Sequence, residues 1–157
     1  MKVTNKILEN LAIKYHCFAY ALLPDELMAT QLLIDSITKI TVIYRDDKDS
    51  LPGQELFELE FLKNIFELSV IRLEHFRSSR QLESYNHNGE DSSFFLIGLK
   101  ERACLFLKDK LNFSFRDTAY ILGLNYEEAL AAVHRSRAEY LELLNYRDSA
   151  VGAVRAH

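Results

Sequence analysis

The sequence predicts an all-α protein, on three observations. Apolar residues recur at three- and four-residue spacings, only five glycines and two prolines interrupt the chain, and two capping signals flank Gly123 near the carboxyl end. At 157 residues the chain is long enough for two small helical domains. The expected division is a first domain at 1–83, a linker at 84–94, a helix-turn-helix domain at 95–146 and a tail at 147–157.

The first helix is expected over about Thr4 to Leu23, where Ile7, Leu8, Leu11, Tyr15, Phe18 and Leu22 make one apolar face. Pro24-Asp25 ends it, because proline fits the first turn of a new helix and not the interior of an old one. A second helix follows over about Asp25 to Tyr44. Its latter half (Ile37, Thr38, Ile40, Thr41, Val42, Ile43) is rich in β-branched residues, so a short strand is the alternative there. Arg45 to Gly53 reads as a polar loop and Gln54 to Arg80 as a long helix in which Phe57, Phe61, Phe66 and Phe76 are mostly core. The polar run Ser84 to Ser93 marks the linker.

Three shorter helices complete the chain. The first runs from about Phe95 to Lys110. The second is capped by Ser114, with Asp117 three residues on, and ends at Gly123. The third is capped by Asn125 with Glu128 at the matching place, and continues to about Leu144. A helix, a tight glycine turn and a longer helix form the helix-turn-helix pattern, with Ala119 and Gly123 at the expected close approach.

Composition narrows the function. Nineteen Lys and Arg against 23 Asp and Glu leave a net charge of −4, unlike the basic surplus common in duplex-binding proteins. Cys17 and Cys104 lie far apart within apolar helical patterns and read as buried, inert thiols; the histidines show no ligand spacing. No Gly-rich phosphate loop or metal-ligand spacing is present, so no enzyme, metal or cofactor is expected. The amino terminus lacks the apolar core of a signal peptide and no uninterrupted apolar run has spanning length, so a cytoplasmic protein without membrane contact is expected.

Leu99-Lys100-Glu101-Arg102 with Leu107, the Ser114 to Gly123 turn, and the closing His134-Arg135-Ser136-Arg137 together resemble the extracytoplasmic-function sigma factors of bacterial RNA polymerase. Upstream, Ala19 to Ile40 resembles the family's polymerase-binding helix pair, and Phe61 to Ile65 the start of its promoter-melting helix. The resemblance implies the polymerase core or an anti-sigma-type regulator as partner, and promoter DNA as a second one. No small-molecule substrate is indicated. It makes Arg116, Asn125, Tyr126, Arg135 and Arg137 candidates for DNA contact. Gln31, Asp35, Glu127, Leu130 and Ala131 become candidates for protein contact.

The departures point another way. Where the family carries a Lys and an Arg before the closing motif, this chain has Leu130 and Ala132, and its recognition helix opens with Glu127 and Glu128. Base edges are read by Arg, Lys, Asn and Gln, and phosphates attract cations. The family's clamp-facing acid and Gln fall on Gln31 and Ile34, and its Arg-Asn pair falls on Glu67-Leu68. Two readings therefore stand. One is a sigma-like transcription protein that binds polymerase and promoter DNA; the other is a divergent sigma-like interaction module that has lost DNA readout.

Overall fold

The computed structural model describes residues 5–45, 53–78 and 92–154, and every regular element among them is helical. The helices are α1 (Asn5–Leu22), α2 (Glu26–Arg45), α3 (Gln54–Ser78), α4 (Ser92–Leu96), α5 (Leu99–Leu105), α6 (Phe115–Leu122) and α7 (Tyr126–Val154). The predicted linker lies outside the described residues up to residue 91, and most of the Arg45–Gly53 loop does too.

Local chemistry explains the boundaries. Asp25 Oδ1 accepts from the Met28 amide at 2.8 Å and caps α2. The β-branched half of α2 is helical to Arg45 and not a strand: Thr38 and Thr41 donate their hydroxyls to the carbonyls of Ile34 and Ile37, while Ile40 faces the core. By length and composition α2 could cross a membrane; Ala29, Leu32, Leu33 and Ile40 place one of its faces inside the protein core.

The single helix expected from Phe95 to Lys110 is three pieces. It breaks at Ile97-Gly98, where Gly98 takes the extended N-cap conformation of α5. Beyond α5 the chain widens into a π-helical turn, Phe106–Lys110, in which the Leu111 amide bonds back to the Phe106 carbonyl at 2.9 Å. At the other end, α7 runs to Val154, ten residues past the predicted Leu144.

One apolar core serves both halves of the chain. Tyr15, Phe18 and Leu22 of α1, Leu32 and Ile40 of α2, and Phe57, Phe61 and Ile65 of α3 are continuous with Ala103, Cys104 and Leu107. Ile121 of α6 and Val133 of α7 complete the same cluster. Three of the four phenylalanines expected in the α3 core are buried; the Phe76 side chain lies outside the described residues.

Candidate protein and nucleic-acid interface

The turn that presents α7 is built from reciprocal local bonds. Ser114 Oγ accepts from the Asp117 amide at 3.1 Å, and Gly123 closes α6 at φ 65°, the left-handed conformation that glycine adopts without penalty. A Cβ at Gly123 would meet nothing within 4 Å, so the residue answers to backbone conformation and not to the close helix approach expected of it. Asn125 and Glu128 form a complete capping box: the Glu128 amide donates to Asn125 Oδ1 at 2.8 Å, and the Asn125 amide to Glu128 Oε2 at 2.9 Å.

Burial sorts the faces of α7. Ala129, Ala132, Val133 and Ser136 point inward at helical spacing. Ala132, at 3% exposure, is therefore core, and a cation at that place would enter the packed interior. Leu130 is half-buried, while Glu127, Ala131, His134 and Arg135 are exposed. Tyr126 stands at the start of the helix, half exposed, with its ring edge against Phe115 at a centroid distance of 6.2 Å.

The cations on this side are unequal. Arg137 is held by Asp109 through Nη2 and, at 3.2 Å, through Nε; this pairing also raises the guanidinium above its ordinary pKa. Lys108 donates to the Phe113 carbonyl at 2.8 Å and covers the Phe115 ring, so it braces the loop before α6. Arg116 and Arg135 are exposed and make no ion pair among the described residues. Arg116 lies on α6 and Arg135 on α7, whose first turn carries the exposed Glu127 and Glu128.

In the amino-terminal half, Gln31 donates to Asp35 Oδ1 at 2.9 Å, and the other carboxylate oxygen of Asp35 is ion-paired with Arg72 of α3. The acid expected to face a partner therefore joins α2 to α3. Beside it, Leu27, Ile34 and Val42 are exposed along the outer face of α2. The structure thus brings Gln31 and Asp35 together on α2. Arg116 lies on α6, Asn125 caps α7, Tyr126, Glu127, Leu130, Ala131 and Arg135 lie on α7, and Arg137 is turned toward Asp109.

The most elaborate polar site joins the two halves, and composition did not single it out. Arg102 is 8% exposed. Its Nε donates to the Ala21 carbonyl at 2.8 Å and its Nη2 to Leu22 at 2.9 Å, while Nη1 reaches Ile97 at 2.7 Å and Phe95 at 3.3 Å. These are the carboxyl ends of α1 and α4. Two helix dipoles, rather than a carboxylate, therefore receive the guanidinium. Burial pushes its pKa down to about 10, still far above neutrality, so the group stays charged. Nearby, α6 lies on α3: Tyr120 donates its hydroxyl to Glu60, and Lys63 stands 5.0 Å from the Tyr120 ring centre. The part of α3 that resembles a promoter-melting helix is thereby covered from one side.

No family model and no curated protein matches the sequence. A solved structure does: that of the sigma factor RpoE in complex with the anti-sigma factor NepR, from Bartonella quintana. The TM-score is 0.62 at 18% identity, covering 88% of this chain and 94% of that one. The all-α arrangement described above is a sigma-factor fold.

Proposed function

We propose that this chain is a sigma-like transcription-regulatory protein of the cytoplasm that acts through protein contacts and has given up reading promoter DNA. In this reading the extracytoplasmic-function type supplies the scaffold, with 1–83 and 95–146 as its two units. An anti-sigma-type regulator is the favoured partner, in keeping with the complex in which the similar fold was solved. The outer face of α2, with Gln31 beside exposed Leu27 and Ile34, is one surface for it; Glu127, Leu130 and Ala131 are the other.

The observation that carries the reading is the cation inventory of the helix-turn-helix. Arg137 is paired with Asp109, and the exposed charges that remain on α6 and α7 include Glu127 and Glu128 as well as Arg116 and Arg135. Duplex affinity comes largely from neutralised phosphates, and this face has few cations to offer. Fluorescence anisotropy with labelled duplex DNA at low salt tests it, beside titrations against purified core polymerase and a purified anti-sigma factor. Regulator binding without salt-sensitive DNA binding is expected. Tight duplex binding abolished by Arg116→Glu and Arg135→Glu would overturn the loss of DNA readout.

A further inference from the structure

Between α1, the start of α2, α4, the π-helical turn and α7 lies an open cleft of about 720 Å³, within the range of ordinary small-molecule sites. Its walls are aromatic: Tyr20, Phe94, Phe95, Phe106 and Tyr140. Neighbouring rings brace one another edge to face. Phe94 meets Phe95 at 5.3 Å and Tyr140 at 6.1 Å, and Tyr20 meets Phe95 at 6.2 Å. Arg102 holds the backbone behind this wall through the Ala21 and Phe95 carbonyls. The π-helical turn contributes Phe106, Asp109 and Lys110 to the lining, and such turns are frequent at functional sites.

The charges at the rim are not equivalent. His16 lies 3.1 Å from Glu26, and Asp109 is engaged by Arg137. Lys110 is exposed and makes no ion pair among the described residues, which leaves one cation beside an apolar slot. We propose that this cleft is a binding site for a small molecule with a flat, apolar body and one anionic group. The body lies among the five rings and the anion faces Lys110. Because the walls come from both halves of the chain, an occupant bridges them. The proposal stands independently of whether the protein binds DNA or polymerase.

Cys17 provides the reporter. Contrary to the expectation of a buried thiol it is exposed, and it lines the cleft; Cys104 is buried, and burial pushes its thiol up to about 11. Maleimide labelling of the folded chain therefore reads Cys17. Anilinonaphthalene sulfonate is expected to bind saturably at one site and to slow Cys17 labelling at least tenfold. Lys110→Glu, a surface change, is expected to weaken the sulfonate at least tenfold and to leave uncharged phenylnaphthylamine unaffected. Cys17→Trp fills the slot and is expected to abolish binding of both probes with helical circular dichroism retained. Unsaturable binding, labelling unaffected by either probe, or equal affinities in wild type and Lys110→Glu would overturn the proposal. So would protection of Cys17 by an added regulator protein alone, since the cleft would then belong to that partner.

Discussion

The seam between the two halves and the outer face of the helix-turn-helix use polar side chains in opposite ways. At the seam, Arg102 satisfies four carbonyls from two helix ends, and Tyr120 and Lys63 meet across α6 and α3. At the α6–α7 turn, Asn125 and Glu128 cap their own helix and Arg137 is paired with Asp109. The difference is that the buried polar bonds of the seam join distant segments, whereas those of the turn stay within a few residues of one another.

The largest effect expected is from breaking the seam. Arg102→Met keeps bulk but orphans buried carbonyls, each worth about 1–3 kcal/mol when left without a partner. A loss on the order of 3–5 kcal/mol is expected, seen as a melting point lowered by about 10 °C or more at roughly 2–4 °C per kcal/mol for a chain of this size. Small-angle scattering should show a larger radius of gyration for any folded fraction. A variant as stable and compact as the wild type would remove the seam from the comparison.

A smaller cost is expected at the outer turn. Gly123→Ala places a side chain at φ 65° with open space around it, so the penalty is that of left-handed backbone alone, about 1–2 kcal/mol. Urea unfolding measures it. A loss well above that range would mean the turn also depends on packing.

The third effect depends on pH. The hydrogen bond to Glu60, reinforced by burial, pushes Tyr120 up to about 12 from its ordinary 10.0. Below pH 10 the phenol is protonated whether the chain is folded or not. Between pH 10 and about 12 the unfolded phenol releases its proton while the folded one keeps it, so stability must fall as pH rises through that window. Tyr120→Phe should flatten the fall without abolishing it, because Tyr15, buried and bonded to Glu58, is also raised. Chemical denaturation at a series of alkaline pH values reads this out.

The smallest effect sharpens the other side of the comparison. Asp109→Asn frees Arg137, and with Glu127→Gln it makes the outer face more cationic. Weak duplex binding should rise several-fold at low salt, with the salt slope steeper by about one for each phosphate newly contacted. An unchanged slope would show that geometry, and not charge alone, keeps DNA away.

Much of the α6–turn–α7 unit was legible in the sequence, because its signals are local. Ser114 and Asp117, and Asn125 and Glu128, each bond across three residues, so spacing and side-chain type sufficed to place both caps and the glycine turn. The break at Gly98 and the π-helical turn were not legible. Apolar spacing through Phe95–Lys110 suits one continuous helix, and the surroundings impose the interruption. Likewise Leu130 and Ala132 looked equivalent as small or apolar substitutions, yet one is half-buried and the other is core.

By itself the sequence determined that the described segments are helical, where most helices begin and stop, and that a tight glycine turn joins α6 to α7. Those properties follow from bonds and apolar periods spanning a few residues. Only the tertiary structure decided what the turn is attached to and which charges remain free. Arg102 finds Ala21 and Leu22 about eighty positions away, Arg137 finds Asp109 twenty-eight positions away, and Cys17 opens onto a cleft assembled from five segments. Such outcomes depend on which helix faces meet, and contacts between distant segments leave no period or spacing in the chain to announce them.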